Sequence, residues 1–517
     1  MRTKILKSRM LLKIGTLAAL IILIYLLNLF NKSQASFFGG HPTSDPYPNF
    51  LIIRTDDQDL LSMSIKRPNG ELLMKNVDKL IAKKGAQFTN SFVTTPLCCP
   101  SRASVLTGQY THNHEVWTNT WPDGSYSKLD HSNTLPIWLK KAGYYTSHIG
   151  KYLNGNALDN AADSKNPIPP GWDHWFTSRA TNYFNYRVRT NIDMVDYGEQ
   201  PDEYYNDVMA KEAYRVLKQR IQSNEPFFMM LDFLSPHNAV DNIQLGDDDQ
   251  SLEDNLPKYP IPAPRHDRAF RNYTPIWPAS FNEADVSDKP KIVRNLKKLT
   301  PEKIAETEIR YQKQLESLLS VDEAVGSLVN LLETSGAIDN TYVIFTSDNG
   351  YLLGEHRIVN NKNYGYEESI RVPLVMRGPE IPVGHKIDKL VTNIDLTATI
   401  VELARATPGL TLDGLSLTPL FKDSNSAWRT DFMIENPKVK FYYGVRTEDY
   451  VYLEYDYDDD GIFNEKELYN LKPDSCNAIA DTDQLNNQAK NSCYANLMAA
   501  LSARLAVLKN CSGSACW

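Results

Sequence analysis

The sequence predicts an α/β protein with a large mixed or parallel sheet flanked by helices on both faces. Three runs are almost entirely apolar, which is typical of strands buried on both faces: residues 49–53, 226–234 and 342–346. Between them, apolar residues recur at helical spacing in residues 74–84 and 318–332. Such alternation of buried strands with helices favours a sheet that is covered by helices on both sides.

The pattern changes from about residue 425 onward. Aromatic and other residues alternate in FYYGVRTEDYVYLEYDY, residues 441–457, and a helical stretch follows. We therefore predict a large domain over residues 46–424 and a C-terminal subdomain over residues 425–517, made of a small antiparallel sheet with a helix. The Pro- and Asp-rich residues 243–300 predict a long surface segment.

The first 35 residues have the pattern of a membrane-targeting segment. Five basic residues precede an apolar run from Ile14 to Phe30, and Ser33-Gln34-Ala35 resembles a small-residue cleavage site. The run fits either a retained signal-anchor or a cleaved signal peptide. In both cases the basic flank stays in the cytoplasm, so the body is expected to be extracytoplasmic: secreted, periplasmic or lumenal. A retained segment makes the membrane a partner.

The charge of the chain argues against nucleic acid as a partner. The formal net charge is −8, and the first 40 residues contain six basic residues and no acidic one. Without those residues the chain carries a net charge of −14. An acidic body with no basic cluster lacks the electrostatic footprint of a nucleic-acid-binding protein.

The cysteines also indicate an oxidising compartment. Four of the six lie in the last 42 residues, and an even set of this kind fits disulfide bonds. Of the three possible connectivities, we predict the one that is local in sequence, Cys476–Cys493 and Cys511–Cys516.

The other two cysteines are adjacent, in the stretch TTPLCCPSRASVLTGQY at residues 94–110. Pro100 favours an extended conformation for Cys99, and Ser101 fits the cap of a helix that Gly108 would end. Cys98 is then delivered to a helix N-terminus, where anions are favoured, and Arg102 adds a permanent cation. A buried cysteine pair in an ordinary turn is the alternative.

Polar residues follow each predicted strand directly. Asp56 and Asp57 come after the first strand, His237 after the second, and Asp348 with Asn349 after the third. In an α/β sheet, ligands bind beyond the carboxyl ends of the strands. Carboxylate and amide oxygens suit Ca²⁺ or Mg²⁺ better than zinc, so the sequence predicts a site for a hard cation here.

At this point the sequence resembles a known family. The pattern Cys98-x-Pro100-Ser101-Arg102-x-x-x-Leu106-Thr107-Gly108 is similar, at every fixed position, to the signature of the formylglycine-dependent sulfatases. The likeness runs from Pro48 to about Leu471. It is greatest to the branch of N-acetylglucosamine-6-sulfatases and extracellular heparan sulfatases, which shares CCPSRAS, HNH at 112–114 and GKYLN at 150–154.

The resemblance implies an alkaline-phosphatase-like sulfatase fold and roles for particular residues. It implies that Cys98 is oxidised to formylglycine by a formylglycine-generating enzyme, and that Ca²⁺, with Mg²⁺ as a possibility, binds near it. The implied metal ligands are Asp56, Asp57, Cys98, Asp348 and Asn349, and the implied catalytic residues are Cys98, Arg102, Lys151, His237 and Lys362.

The sequence departs from the family pattern at one place. Many sulfatases have a histidine two residues after the first lysine, and here that position is Leu153. Asn154 or His114 is the candidate for its substrate-binding role. His356 is a further candidate for substrate contact, with a purely structural role as the alternative.

The implied activity is hydrolysis of sulfate monoesters on sulfated carbohydrate, such as glucosamine 6-sulfate. The resemblance implies that the hydrated formylglycine at position 98 attacks the sulfur atom. The cationic side chains of Arg102, Lys151 and Lys362 would stabilise the sulfuryl oxygens. A protonated His237 would donate a proton to the leaving alkoxide. Two alternatives remain: a phosphoester or phosphonate hydrolase of the same superfamily, and a non-catalytic, membrane-tethered glycan-binding relative.

A second metal motif occurs near the C-terminus. Asp456-x-Asp458-x-Asp460-Gly461 with Glu467 fits the spacing of an EF-hand loop. An EF-hand needs a helix on each side, whereas residues 450–455 alternate like a strand, so a hairpin is the competing interpretation.

Overall fold

The computed structural model describes residues 47–155, 168–178, 182–223, 225–239, 259–458 and 461–517, and within these residues ten strands pair into one mixed sheet. The predicted targeting segment, residues 1–35, lies outside the described residues. Residues 47–517 form one compact unit, and the division at 424/425 stays a prediction. Within the described parts of the chain, no helix has both the length and the apolar character needed to cross a membrane.

The strands are β1 (Asn49–Asp56), β2 (Ala86–Phe88), β3 (Ser91–Phe92), β4 (Tyr145–Lys151), β5 (His174–Ser178), β6 (Tyr186–Thr190), β7 (Met194–Tyr197), β8 (Phe227–Pro236), β9 (Thr341–Ser347), β10 (Leu352–Leu353), β11 (Val359–Asn361), β12 (Leu374–Arg377), β13 (His385–Ile387), β14 (Val391–Thr392), β15 (Asp431–Asn436), β16 (Tyr442–Thr447), β17 (Tyr450–Tyr455) and β18 (Glu465–Asn470). The α-helices are Cys98–Thr107, Thr111–His114, Leu135–Lys141, Tyr205–Ile221, Lys291–Arg294, Pro301–Ser335, Glu367–Ile370, Asn393–Leu403, Thr418–Lys422 and Ala495–Leu508.

The centre of the large sheet is parallel. Its strand order is β13-β2-β12-β9-β1-β8-β4-β5-β6-β7, and β1 pairs in parallel with both β8 and β9. β4 continues this parallel set on the far side of β8. The carboxyl ends of β9, β1, β8 and β4 therefore lie side by side along one edge of the sheet.

The apolar strands are buried on both faces, as the sequence predicts. Along β1, Leu51 and Ile53 pack in one hydrophobic cluster with the helices Tyr205–Ile221 and Pro301–Ser335. Phe50 and Ile52 point to the other face. They share a second cluster with residues of the helices Cys98–Thr107, Leu135–Lys141 and Asn393–Leu403.

The C-terminal part is the predicted antiparallel sheet with a helix. β15, β16, β17 and β18 pair in that order, and the helix Ala495–Leu508 shares a hydrophobic cluster with them. The disulfides Cys476–Cys493 and Cys511–Cys516 confirm the predicted connectivity.

The EF-hand interpretation is wrong. Residues 450–455 and 465–470 are the paired strands β17 and β18, so strands stand where an EF-hand has helices. Glu467, the required last ligand, is 0% exposed. Its carboxylate accepts hydrogen bonds from the hydroxyls of Tyr366, Tyr455 and Tyr469, which leaves it facing the core rather than the loop.

The helix at the cysteine pair begins earlier than predicted. Its first residue is Cys98, so Cys99 is helical rather than extended, and Ser101 lies inside the helix rather than at its cap. Pro100 is tolerated because the first four N–H groups of a helix have no intrahelical acceptor. Gly108 ends the helix in a left-handed conformation, φ 70°, as predicted.

Candidate active site

Four neighbouring strand ends and one helix N-terminus bring the predicted residues together. β1 ends in Asp56, β4 ends in Lys151, β8 runs into His237, and β9 runs into Asp348 and Asn349. Glycine is required before Lys151, because a Cβ on Gly150 would lie 1.9 Å from the carbonyl oxygen of Asp232 in the adjacent strand. The sheet edge therefore collects residues that are up to 300 positions apart in sequence.

Cys98 lies at the centre of this cluster and is 0% exposed. Its Sγ lies 3.6 Å from Oδ1 of Asp56, 3.6 Å from Nζ of Lys151 and 2.9 Å from Nζ of Lys362. The helix is held against the sheet by Ser101, whose hydroxyl donates to the carbonyl oxygen of Asp348 at 2.5 Å. Cys98 is thus fixed between carboxylates and cations.

Arg102 and the two lysines link the carboxylates into one network. Arg102 donates from Nε to Asp348 at 2.8 Å and from Nη2 to Asp56 at 3.2 Å. Lys151 Nζ lies 2.6 Å from Asp56 Oδ2, and Lys362 Nζ lies 2.7 Å from Asp57 Oδ1. These cations surround the space beside Cys98, where an anion would be stabilised.

The acidic side chains form a group suited to a divalent cation. Oxygen atoms of Asp56, Asp57 and Asp348 lie within 4.8 Å of one another. Asn349 joins them, since its Nδ2 donates to Asp57 Oδ1 at 2.6 Å. Its Oδ1 is buried and has no hydrogen-bond partner, as expected of an atom that ligates a metal. This donor set of hard oxygens fits Ca²⁺ or Mg²⁺.

The electrostatics make the bare thiol a poor nucleophile. Burial and the Asp56 carboxylate raise the pKa of the Cys98 thiol well above its usual value, although Lys151 opposes this. A protonated thiol does not attack, because the thiolate is the reactive form. Burial also favours a neutral Asp56, but Lys151, His237 and Arg102 outweigh it and hold the Asp56 pKa well below its usual range.

His237 presents one ring nitrogen to the cluster. Its Nδ1 lies 2.8 Å from the carbonyl oxygen of Asn238, which can only accept a hydrogen bond, so Nδ1 carries a proton. Its Nε2 lies 3.8 Å from Oδ2 of Asp57. The ring is therefore oriented by its bond to the backbone, and a ring nitrogen of His237 lies within 4.8 Å of Cys98 Sγ.

Comparison with known families identifies this arrangement. Residues 48–406 match the Sulfatase family, and residues 354–510 match the family described as N-sulphoglucosamine sulphohydrolase, C-terminal. The chain belongs to the sulfatase family.

Individual sulfatases are similar over most of the chain. The human N-acetylglucosamine-6-sulfatase is 32% identical over 511 residues, which is 91% of this chain and 86% of its own length. The extracellular sulfatase SULF-1 homolog of Drosophila melanogaster is 30% identical over 442 residues, 81% of this chain but only 37% of that relative. The matched region thus spans little more than a third of the fly protein.

A solved structure supports the same fold. It is a protein in complex with its substrate D-glucosamine-2-N,6-O-disulfate, with 25% identity and a TM-score of 0.71, covering 89% of this chain and 97% of that chain. The large mixed sheet with flanking helices, followed by a small antiparallel sheet, is therefore the alkaline-phosphatase-like fold of the sulfatases.

The two histidines predicted to contact substrate, His114 and His356, make hydrogen bonds to residues other than those around Cys98. His114 Nδ1 accepts from the Val116 N–H at 3.1 Å and its Nε2 lies 3.0 Å from Ser104 Oγ, so both nitrogens are used. Burial lowers the pKa of His114 to about 3. His356 is 0% exposed and stacks on Tyr366, with ring centroids 4.0 Å apart. His356 Nδ1 lies 2.7 Å from Glu283 Oε2, and the substrate-binding roles of both histidines stay predictions.

Asn154 and Leu153 lie beside the cysteine pair. Leu153 is buried in a hydrophobic cluster that also contains Cys99, which explains why an apolar residue stands there. The Asn154 N–H donates to Cys99 Sγ at 3.1 Å. Its substrate-binding role stays a prediction.

Sequence reasoning missed a buried ion network beneath the site. Asp232 accepts from Arg54 at 2.6 and 3.1 Å and lies 2.9 Å from His148 Nε2. Arg102 Nη1 lies 3.8 Å from the same carboxylate. The signal was present, because each of β1, β8 and β4 carries an ionisable residue inside its buried run: Arg54, Asp232 and His148.

We expect Asp232→Ala to lower the free energy of unfolding by about 3–5 kcal/mol, since it leaves the buried Arg54 charge without its partner. Chemical denaturation measures this. Asp196→Ala is the matched control, because its pair with Arg187 is solvent-exposed and should contribute little. Equal losses in the two variants would contradict the account.

Proposed function

We propose that this sulfatase hydrolyses sulfate monoesters on sulfated carbohydrate through a nucleophile made from Cys98. The observation that carries the proposal is the position of Cys98 Sγ, which lies within 3.6 Å of polar atoms of Lys151, Lys362 and Asp56. In this proposal the precursor of the nucleophile, the cations that bind the sulfuryl group and the metal ligands surround one point. The alternatives are a phosphoester or phosphonate hydrolase and a non-catalytic glycan-binding relative.

The proposed cofactors are a divalent cation, Ca²⁺ or alternatively Mg²⁺, and a formylglycine at Cys98. Asp56, Asp57, Asp348 and Asn349 would hold the cation, with the side chain of residue 98 as a further ligand. Hydrated formylglycine would supply an oxygen nucleophile, and a bound cation would lower the pKa of its hydroxyl. A formylglycine-generating enzyme is then a partner during maturation. The orphaned Asn349 Oδ1 and the raised pKa of the buried Cys98 thiol support this proposal.

The residues of the chain itself have distinct tasks in this proposal. Lys151 and Lys362 bind the sulfuryl oxygens and neutralise charge as it moves toward the leaving group. Arg102 holds Asp56 and Asp348 in place behind residue 98. His237 Nε2 donates a proton to the departing alkoxide.

The proposed substrate is a sulfated amino sugar of the glucosamine-6-sulfate type. The names of the human relative and the substrate in the related solved structure support this choice. The proposed location is extracytoplasmic, because the disulfides Cys476–Cys493 and Cys511–Cys516 persist in oxidising compartments. Residues 1–35 would target or anchor the protein at the membrane.

Substrate comparison tests the proposal directly. Purified, matured protein should hydrolyse 4-nitrophenyl sulfate and N-acetylglucosamine 6-sulfate much faster than 4-nitrophenyl phosphate and a matched phosphonate ester. Preference for the phosphorus esters would instead support the superfamily alternative. Binding of sulfated sugar without any turnover would support the non-catalytic one.

We expect His237→Ala to lower turnover of an unactivated sugar sulfate by about 10²–10⁴-fold and that of nitrophenyl sulfate much less. A sugar alkoxide must be protonated as it leaves, whereas nitrophenolate leaves unaided. Lys362→Ala is the comparison variant and should impair both substrates, because it acts on the sulfuryl group. Equal losses on both substrates for His237→Ala would remove the acid role from this residue.

A further inference from the structure

Arg310, on the helix Pro301–Ser335, is a buried cation outside the cluster already described. It is 3% exposed. Its Nη1 donates to Oδ1 of Asn238 at 2.6 Å, while its Nε is buried and has no hydrogen-bond partner. In the parts of the chain that the structure describes, no carboxylate pairs with this guanidinium.

Other buried arginines of the protein have an acidic partner. Arg54 pairs with Asp232 at 2.6 Å, Arg102 with Asp348 at 2.7 Å, and Arg446 with Glu367 at 2.7 Å. A buried charge without a counter-ion is unfavourable, because desolvation is not offset by Coulomb attraction. Among the described residues Arg310 lacks such a partner, which leaves its charge available to an anionic ligand.

The position of Arg310 relates it to the substrate side of the site. Asn238, its acceptor, directly follows His237, the proposed acid. Nδ2 of Asn238 also donates to the hydroxyl of Tyr351 at 3.1 Å, and Tyr351 stands two residues after Asn349. The Arg310 guanidinium carbon lies 5.2 Å from the ring centroid of Tyr259. Arg310 is thus joined through Asn238 to two of the loops that form the site, those that carry His237 and Asn349.

We propose that Arg310 binds a second anionic group of the saccharide whose sulfate ester is hydrolysed, either a further sulfate on the same sugar or the carboxylate of an adjoining uronate. The inference rests on the proposed function. A guanidinium matches the two oxygens of a sulfate or a carboxylate with paired N–H donors. Nε, which lacks an acceptor, and Nη2 form such a pair. Arg310 is then a specificity residue for doubly anionic substrates.

The competing explanation is that Arg310 only holds Asn238, and through it His237, in place. A structural role of that kind affects every substrate equally. A recognition role affects only substrates with the second anion, and it does so mainly through KM. The ratio of kcat/KM for two substrates, measured on one preparation, separates the two roles because the fraction of folded enzyme cancels.

The experiment compares wild type, Arg310→Gln and Arg310→Lys on three substrates. These are N-acetylglucosamine 6-sulfate, glucosamine-2-N,6-O-disulfate, and a disaccharide that places a uronate beside N-acetylglucosamine 6-sulfate. We expect Arg310→Gln to lose about 10- to 100-fold in kcat/KM on at least one doubly anionic substrate, and little on the singly sulfated one. Arg310→Lys should restore part of the loss. The affected substrate shows whether the second anion is a sulfate or a carboxylate.

Equal losses on all three substrates would overturn the inference and leave the proposed function intact. A wild-type enzyme that turns over the singly sulfated sugar at least as well as both others would overturn it in the same way. Wild-type protein with no activity on nitrophenyl sulfate or on any of the three would refute the proposed function itself, and the inference with it.

Discussion

Cys98→Ala should abolish sulfate-ester hydrolysis, with a loss on the order of 10⁴-fold or more, because it removes the precursor of the nucleophile. Lys151, Lys362 and Asp56 all converge on the Cys98 side chain, so no neighbouring group can replace it. Initial rates on nitrophenyl sulfate, with the variant checked for folding by its thermal unfolding, measure the effect.

The adjacent cysteine provides a matched control. Cys99 is equally buried, but it packs in an apolar cluster and its Sγ accepts the N–H of Asn154 at 3.1 Å. Cys99→Ala should therefore keep most of the activity, with only a packing cost. Comparable losses in the two variants would contradict the assignment of Cys98.

Removal of divalent metal should have the second large effect. Chelation is expected to eliminate turnover, and addition of Ca²⁺ or Mg²⁺ to restore it. The reason is that Asp56, Asp57 and Asp348 present three buried carboxylates within 4.8 Å of one another, an arrangement that a hard cation stabilises. Activity assays before and after chelation, with the metal content measured alongside, check this.

Two variants localise the metal effect. Asp57→Asn should weaken metal binding and reduce activity strongly, because a ligand charge is lost. Asp458→Asn changes an exposed acid in the loop that resembles an EF-hand and should leave both unchanged. Full activity in thoroughly metal-free protein would contradict the proposed site. Loss of metal binding and activity in Asp458→Asn, but not in Asp57→Asn, would contradict it as well.

The large sheet and most of the site could be predicted from sequence because strand ends are easy to recognise. Apolar runs buried on both faces mark β1, β8 and β9, and the residue that follows each run is placed at the same edge of a parallel sheet. Asp56, His237 and Asp348 came together for that reason. The motif that begins at Cys98 predicted the positions of Cys98 and Arg102, because the spacing of its residues is specific.

Other features depend on tertiary contacts that spacing does not reveal. The helix begins at Cys98 rather than after Ser101, and the Ser101 hydroxyl donates to the carbonyl oxygen of Asp348, just after β9, instead of capping the helix. His114 carries the same side chain as a catalytic histidine, but Val116 and Ser104 occupy its nitrogens. Arg310 shows no local motif, and it is distinguished by its burial without an acidic partner among the described residues.

Peptide mass spectrometry of active, purified protein tests the central claim most directly. The peptide that contains Pro100 and Arg102 should carry an aldehyde at position 98, reactive toward a hydrazide probe, in proportion to the specific activity of the sample. Cys99 should remain a thiol in the same peptide. An active preparation in which position 98 is only unmodified cysteine would contradict the mechanism.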